Sequence, residues 1–249
     1  MLREWVDLLG VIGLAIARDR SGASIEALKR AAGHRAADFV RDGMVVGLGS
    51  GSTARHAILR VADRLRRSEL RDVVAIPTSE ETARLARHEG IPLATLARHA
   101  QIDVTIDGAD EVDPHFNLIK GLGGCLLREK IVAFATAKEI IVVDESKLVQ
   151  TLGTRSPVPV EVIRFGWRNT RAALAETGAQ PVLRQVGEAP YVTDEGNYIV
   201  DCTYEGIESP GELMLRLNAI PGVVENGLFL GVADLVVVAS PSGVAVLER

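Results

Sequence analysis

The stretch from Ile106 to Val132, IDGADEVDPHFNLIKGLGGCLLREKIV, carries the side chains best suited to chemistry. Its first eight residues contain four carboxylates, and a lysine, a glycine-rich turn and a charged run follow. Carboxylates can move protons, and a lysine beside backbone N–H groups can stabilise a developing oxyanion. The pattern therefore favours a proton-transfer site, with a solvated acidic loop as the alternative.

Asp107 and Asp110 follow an apolar strand, and open α/β sheets bind their ligands at the carboxyl ends of their strands. Lys120 comes after a loop, and Glu129 begins an apolar helix. The carboxylates do not have the spacing of a twelve-residue calcium loop, which needs alternating acidic residues, a glycine and a late glutamate. The lysine and the glycine loop favour a catalytic site over a solvated turn.

A second motif, VVGLGSGSTARHAI, places glycines between a predicted strand and a predicted helix. Ser52 stands where a dinucleotide fingerprint needs its third glycine, and the lysine of a nucleotide-hydrolase phosphate loop is missing. Glycine backbone and a helix N-terminus can still cradle a single phosphate, with hydroxyl donors from Ser50, Ser52 and Thr53. The alternative is a loop that only turns the chain and caps the helix.

Apolar runs with strand and helix periods alternate along the first part of the chain. MVVGLG, DVVAIPTS, IDVTIDG and EIIVVDES predict strands, and SIEALKRAAGHRAADFV, STARHAILRVADRLRRS, EETARLARHEG and REKIVAFATA predict helices. Ser24 is placed to start the first of these helices, and Gly90 to end the third. The alternation predicts a doubly wound α/β domain with a mostly parallel sheet and helices on both faces.

The pattern changes after Gly153, where prolines, short strands and helices follow one another. It predicts a smaller, ferredoxin-like α+β domain inserted before the last strands of the larger one. The predicted boundaries are an N-terminal extension of residues 1–25, a Rossmann-like catalytic domain of residues 26–151 plus 226–249, and a smaller domain of residues 152–225.

Composition and charge exclude several classes of protein. The 249 residues carry a net charge of −5, which leaves no basic excess for a nucleic-acid surface. Cys125 and Cys202 are too few and too far apart for a disulfide framework or a structural zinc site. The apolar segment Val6–Ala17 is too short to span a bilayer and fits a signal peptide poorly. We expect a reduced, cytoplasmic, metal-free protein that binds neither nucleic acid nor membrane.

From about Leu28 to the C-terminus, the chain resembles the type A family of ribose-5-phosphate isomerases. The matching blocks stand in the same order: VGLGSGSTA, TIDGADEVD, IKGLGGCLLREKIVA, VVDESKLVQTLG, PVPVEV and IPGVVENGLF. The resemblance implies interconversion of ribose 5-phosphate and ribulose 5-phosphate through an enediolate, in the non-oxidative pentose phosphate pathway. It also implies a doubly wound domain beside a smaller one, a sugar phosphate as partner, no metal or organic cofactor, and a homodimer or homotetramer.

The same resemblance implies residue roles. Glu129 is expected to be the catalytic base, with Asp107, Asp110 and Lys120 around the sugar. Lys120 and the glycine backbone would supply oxyanion donors, and one of the two aspartates would open the furanose ring. The implied substrate-binding residues, including those at the phosphate, are Ser50, Gly51, Ser52, Thr53, Gly108, Ala109, Gly121, Leu122, Gly123, Lys147 and Lys29.

Two points stay open in this pattern. Family members commonly read Lys-Gly-Gly-Gly where Leu122 interrupts the glycine run, and a leucine at positive φ would be strained. Burial at the head of a helix raises the pKa of a carboxyl such as Glu129, whereas the helix N-terminus favours its anion. The net direction of the pKa shift therefore stays open.

Two other function classes compete with the isomerase. A sugar-phosphate-sensing regulator would normally carry a DNA-binding domain, for which the N-terminal segment is too short. An acyl-CoA transferase-like enzyme would form a thioester on a glutamate, which the aspartates, Lys120 and the phosphate cradle fit poorly. Binding of a ribose phosphate without turnover would favour the sensor.

Overall fold

The computed structural model describes residues 24–249. Residues 1–23, which include the apolar segment Val6–Ala17 and nearly all of the predicted extension, lie outside the described residues. Within the described part of the chain, no helix is both long enough and apolar enough to cross a bilayer.

The elements fall into three consecutive groups. The first is α1 (Ile25–Ala37), β1 (Val45–Leu48), α2 (Ser52–Arg66), β2 (Val74–Pro77), α3 (Glu80–His88), β3 (Val104–Gly108), β4 (Glu111–Val112), β5 (Leu118–Ile119), α4 (Leu126–Phe134) and β6 (Glu139–Asp144). The second is β7 (Val158–Val162), α5 (Trp167–Ala175), β8 (Gln180–Leu183), β9 (Gln185–Val186), β10 (Ala189–Pro190), β11 (Tyr198–Thr203), α6 (Pro210–Asn218) and β12 (Val223–Asn226). The third is β13 (Leu228–Phe229), β14 (Leu235–Ser240) and β15 (Gly243–Glu248).

The helix ends follow the sequence signals. The Ser24 hydroxyl accepts a hydrogen bond from the Ala27 N–H at the start of α1. The Ser79 hydroxyl does the same for the Thr82 N–H at the start of α3. Gly90 takes a φ of +77° just beyond α3, as a left-handed glycine does at a helix C-terminus. The predicted start at Ser24 and the predicted end at Gly90 are confirmed.

A six-stranded sheet forms the centre of the larger unit, in the order β15-β14-β6-β3-β1-β2. Its strands are parallel except β15, which pairs antiparallel with β14 at one edge. Helices α1 and α2 pack on one face of this sheet, and α4 with β13 covers the other. The doubly wound, mostly parallel architecture predicted from the sequence is confirmed.

The winding direction of this sheet reverses at β1. Along the chain β1 is followed by β2 on one side, whereas β3 pairs with its other side. A crevice therefore opens beyond the carboxyl ends of β1 and β3, where open α/β sheets bind ligands. Because β1 ends at Leu48 and β3 at Gly108, the glycine loop and the first aspartates meet there.

The smaller unit has the element order βαββαβ, formed by β7, α5, β8, β11, α6 and β12. Its four strands are antiparallel in the order β12-β7-β11-β8, and the short hairpin β9-β10 extends from it. Buried side chains from α5 and α6, among them Leu174 and Leu217, form a separate core with Val160 and Val200. This is the ferredoxin-like architecture that the sequence predicted.

A three-stranded antiparallel sheet, in the order β13-β5-β4, places Lys120. Lys120 follows β5 directly, and its N–H donates to the Gly227 carbonyl at 2.9 Å. A Cβ atom at Gly227 would lie 2.3 Å from the Lys120 carbonyl oxygen, so the two segments pass very close together. The backbone of this lysine is therefore held by strands from the end of the chain.

Gly49 lies where the glycine loop passes the end of β3. A Cβ atom there would lie 2.2 Å from Asp107 Oδ1 and 2.5 Å from Asp107 Cα. The absence of a side chain at Gly49 thus allows the close approach of Asp107.

We expect Gly49→Ala to lower the free energy of unfolding by roughly 2 kcal/mol, because overpacking a filled interior typically costs about 1–3 kcal/mol. Gly211→Ala is the matched control, since a Cβ at Gly211 meets no atom within 4 Å. Urea unfolding of both variants measures the difference. Equal stability of the two variants would show that the approach to Asp107 is not tight.

Candidate active site

Three separate segments bring one lysine and two carboxylates together at the crevice. Lys120 Nζ lies 3.1 Å from Asp107 Oδ2 and 3.2 Å from Glu129 Oε2. It also donates to the Gly108 carbonyl at 2.6 Å. The three charged side chains are each at most 5% exposed. The site therefore contains one buried cation and two buried carboxylates.

The Lys120 ammonium is held by carboxylates and by an aromatic ring. Burial by itself lowers the pKa of Lys120, but the Asp107 and Glu129 carboxylates outweigh burial and raise it above the usual value. Nζ also lies 5.3 Å from the centre of the Phe229 ring, within the range of a cation–π contact. Lys120 is therefore a permanently charged hydrogen-bond donor.

Glu129 lies in the first turn of α4. Burial raises the pKa of Glu129 to about 8; the Lys120 ammonium opposes this rise, and the Asp107 carboxylate adds to it. Apart from the ion pair with Lys120, Oε2 accepts no well-formed hydrogen bond from a described residue. The net pKa shift of Glu129, whose direction the sequence left open, is therefore upward. A carboxyl with this pKa can accept and release a proton near neutral pH.

The residues on either side of this glutamate anchor α4 to both units. Arg128 binds the Glu80 carboxylate of the larger unit at 2.9 Å and the Glu195 carboxylate of the smaller unit at 2.5 Å. Lys130 donates to Glu225 Oε1 in the smaller unit at 2.8 Å. The first turns of α4 are therefore fixed in position from two directions.

The two predicted aspartates differ in their surroundings. Asp107 Oδ1 accepts hydrogen bonds from the N–H groups of Ser50 at 3.0 Å and Gly108 at 2.7 Å. Asp110 Oδ2 accepts one from the Leu122 N–H at 3.0 Å, and burial raises the pKa of Asp110. Asp107 is held among protein donors, whereas the second oxygen of Asp110 accepts no hydrogen bond from residues 24–249 and Asp110 borders a cavity.

That cavity, of about 170 Å³, collects nearly all of the predicted site residues. Its lining is formed by Lys29, Ser50, Gly51, Ser52, Thr53, Gly108, Ala109, Asp110, Lys120, Gly121, Gly123, Glu129 and Lys147. Of the predicted residues, only Asp107, which contacts Lys120, and Leu122 are absent from the lining. Among residues 24–249, no group of three or more His, Cys, Asp or Glu side chains is arranged to hold a metal ion.

One part of the lining is suited to an anion. Gly51, with a φ of +94°, precedes α2 without any side-chain cap on the helix N-terminus. The N–H groups of Ser52 and Thr53 begin this helix, and Lys29 and Lys147 line the same cavity. Uncapped N–H groups, the helix dipole and two ammonium groups together suit this lining to an anion such as a phosphate.

Ser50 has a different position from the one expected of a phosphate donor. Its hydroxyl lies 2.9 Å from those of Thr78 and Ser79, and 3.3 Å from that of Thr82. Its N–H donates to Asp107. The Ser50 side chain therefore braces the loop within a cluster of hydroxyl groups, and sequence reasoning had no signal for that cluster.

Leu122 fits the glycine loop without backbone strain. The left-handed φ angles of this loop occur at Gly121, with +102°, and at Gly124, with +86°, and not at Leu122. The Leu122 side chain is 40% exposed. Leu122 therefore does not take the positive φ that would strain a leucine.

Sequence reasoning missed three residues that contact the site from distant parts of the chain. Phe229 packs against Lys120, Arg184 donates to the carbonyls of Gly121 and Leu122, and Tyr191 packs against the same loop. Arg184 and Tyr191 lie in stretches that carry no functional pattern, and Phe229 ends the matching block IPGVVENGLF, which did not indicate a contact with Lys120. Their partners are far away in sequence, so only the folded chain brings them together.

Comparisons with known proteins agree on one family. A family model described as ribose 5-phosphate isomerase A (phosphoriboisomerase A) matches residues 74–243. The ribose-5-phosphate isomerase A of Roseiflexus castenholzii is 52% identical over 221 residues, which are 88% of this chain and 94% of the relative. That of Thermococcus kodakarensis is 46% identical over 228 residues, which are 91% and 100% of the two chains.

Solved structures give the same result. A D-ribose-5-phosphate isomerase in complex with phospho-erythronic acid matches with a TM-score of 0.88 and 42% identity, over 91% of this chain and 100% of the other. The ribose 5-phosphate isomerase of Plasmodium falciparum matches with a TM-score of 0.88 and 39% identity, over 90% and 99%. The similarity thus extends over both units of the fold.

The raised pKa of Glu129 predicts a pH-dependent stability. Between the ordinary value of 4.5 and about 8, the folded protein binds more protons at this carboxyl than the unfolded chain does. The stabilisation is complete below pH 4.5 and is lost as the pH rises toward 8. We expect unfolding free energies measured in urea from pH 5 to 8 to fall more steeply for the parent than for Glu129→Gln. Parallel curves would show that Glu129 does not titrate in this range.

Proposed function

The chain belongs to the ribose 5-phosphate isomerase A family, and we infer that it interconverts ribose 5-phosphate and ribulose 5-phosphate. The observation that carries this function is the buried Glu129 carboxyl, 3.2 Å from Lys120, beside a cavity with an anion-binding lining. The reaction, a step of the non-oxidative pentose phosphate pathway, moves a proton between C2 and C1 of the open-chain sugar.

Glu129 is the proposed base. In the aldose-to-ketose direction its carboxylate removes the C2 proton, and the electrons of that bond form the C1–C2 double bond of an enediolate. The protonated carboxyl then returns the proton to C1, while the carbonyl forms at C2 and the hydroxyl proton passes from O2 to O1. A pKa near 8 supports this role, because one group must both accept and release the proton.

Lys120 is the proposed electrophile for the enediolate oxygens. Its ammonium is already oriented by Asp107 and by the Gly108 carbonyl, so little reorganisation is needed when negative charge develops. The N–H groups of the glycine loop add further donors at the same cavity. Preorganised donors in a site with little water stabilise such an oxyanion more than solvent would.

We assign ring opening to Asp110 in preference to Asp107. Asp110 borders the cavity, and its raised pKa supports the transfer of a proton between the ring oxygen and the O1 hydroxyl. Asp107 accepts two N–H groups and pairs with Lys120, which supports an orienting role for this carboxylate.

The phosphate is proposed to bind at the start of α2, with Lys29 and Lys147. This binding does not change during the reaction, and it fixes the substrate at a distance from the reacting carbons. Remote binding energy of this kind holds the open chain against the base. Ser50 supports the loop from behind, and Ser52 and Thr53 supply the donors.

A homodimer or homotetramer in the cytoplasm is also part of the proposal. Phe134 and Phe165 are 91% and 90% exposed in the single chain, and aromatic side chains are enriched at protein interfaces. Cys125 and Cys202 are both free, which suits a reducing compartment.

We expect Glu129→Gln to reduce kcat by a factor of roughly 10² or more, because the amide cannot accept the C2 proton. Substrate binding and the fold should be retained, since the amide has nearly the same shape. Formation of ribulose 5-phosphate from ribose 5-phosphate by EDTA-treated protein measures turnover. Glu176→Gln, at an exposed position, is the control.

Near-normal turnover of Glu129→Gln would remove this residue from the role of base. Loss of parent activity on EDTA treatment would contradict the metal-free mechanism. Tight binding of ribose 5-phosphate by a parent protein without turnover would indicate a sensor.

Substitutions of residues at the two ends of the substrate should have different kinetic effects. Lys120→Ala should lower kcat by roughly 10²-fold, as does the loss of other oxyanion donors. Ser52→Ala should mainly raise KM, by about threefold to tenfold, because one hydrogen bond to the phosphate is lost. Steady-state kinetics of both variants test this assignment, and the opposite ranking would mean that the two ends of the substrate are exchanged.

A further inference from the structure

Arg184, immediately after β8, joins the smaller unit to the glycine loop of the site. Its guanidinium forms a two-point ion pair with Asp201, with Nε 2.9 Å from Oδ2 and Nη2 2.5 Å from Oδ1. Nη1 donates to the carbonyls of Gly121 at 3.1 Å and Leu122 at 2.9 Å. The Arg184 side chain is 13% exposed. One oriented arginine therefore holds two consecutive carbonyls.

These carbonyls determine where the neighbouring N–H groups point. In a trans peptide unit the C=O and the N–H lie in one plane and point in opposite directions. The unit between Gly121 and Leu122 is held on both sides, by Arg184 at its oxygen and by Asp110 at its N–H. In the next unit Arg184 holds the Leu122 oxygen, so the Gly123 N–H points away from the guanidinium.

The Gly123 N–H is the donor that this arrangement leaves available. It makes no hydrogen bond within the described part of the chain, and Gly123 lines the cavity beside Lys120 and Glu129. A backbone N–H of fixed direction at this place can donate to an oxygen of the enediolate.

Tyr191 contacts the far end of the loop by packing. A Cβ atom at Gly124 would lie 2.1 Å from the Tyr191 hydroxyl oxygen, so this ring packs directly on the loop backbone. The Arg184 guanidinium lies 5.8 Å from the centre of the Tyr191 ring, and the Tyr191 N–H donates to the Arg184 carbonyl at 2.9 Å. The loop is thus clamped by a connected set of residues from the smaller unit.

We propose that Arg184 is a positioning residue of the isomerase, which directs the Gly123 N–H at the oxyanion through the Leu122–Gly123 peptide unit. This inference rests on the proposed function, because it concerns the enediolate formed there. The smaller unit would thereby take part in the reaction, because its Arg184 orients a donor without touching the substrate.

The test compares Arg184→Met with a matched arginine variant, Arg164→Met. Arg164 also lies in the smaller unit, donates to a backbone carbonyl, that of Gly196 at 2.5 Å, and stacks on Tyr198, but it does not line the cavity. We expect kcat of Arg184→Met to fall tenfold to a hundredfold, on the order of the loss of one oxyanion donor, with KM changed less than threefold. Arg164→Met should keep the parent values.

A binding measurement tests the same inference without turnover. Phospho-erythronic acid carries a carboxylate where the enediolate oxygens form, whereas inorganic phosphate probes only the phosphate end. By calorimetry, Arg184→Met should bind phospho-erythronic acid roughly tenfold more weakly than the parent and inorganic phosphate equally well. Arg184→Lys, which keeps the charge but loses the planar fork, should show a smaller loss and replaces Arg184→Met if that variant does not fold.

Equal weakening of both ligands, or a kcat equal to that of Arg164→Met, would overturn the positioning role. A parent that binds phospho-erythronic acid no better than inorganic phosphate would overturn the proposed function and this inference together. A parent with the expected preference and turnover, beside unaffected Arg184 variants, would overturn the role of Arg184 alone.

Discussion

A lysine ammonium buried between two carboxylates is the interaction on which the rest of the structure depends. A buried and unpaired charge costs several kcal/mol, so Lys120 requires Asp107 and Glu129 within ion-pair distance. Two carboxylates exceed the charge of one ammonium, and burial together with this excess raises the pKa of Glu129. The raised pKa on which the proposed role of Glu129 depends is thus a consequence of the arrangement that keeps Lys120 charged.

The three residues of this ion-pair cluster come from different parts of the fold. Asp107 comes from β3 at the point where the winding of the central sheet reverses, Lys120 from the position just after β5 of the three-stranded sheet, and Glu129 from α4. Gly49 and Gly227 allow these segments to come so close together, because a Cβ atom at either position would clash with its neighbour. The smaller unit then supports the loop between Lys120 and α4 through Arg184, although the residues that line the cavity all belong to the larger unit.

The sequence was sufficient where function follows a local pattern. Alternating apolar periods predicted the doubly wound sheet, and the resemblance to the isomerase family implied most of the residues that line the cavity. It was insufficient where the outcome depends on contacts across the chain. The orientation of the Ser50 hydroxyl, the carbonyl partners of Arg184 and the upward pKa shift of Glu129 all depend on neighbours that no short window contains.

Arg128 and Lys130 bracket Glu129, and each binds a carboxylate of the smaller unit. Arg128 binds the larger unit as well. Any hinge-like opening between the two units would therefore pull on the helix turn that carries Glu129, the proposed base. We expect melting of the smaller unit to disturb the position of Glu129, because both neighbouring side chains would lose a partner. We therefore expect the two units to unfold together, in spite of their separate cores.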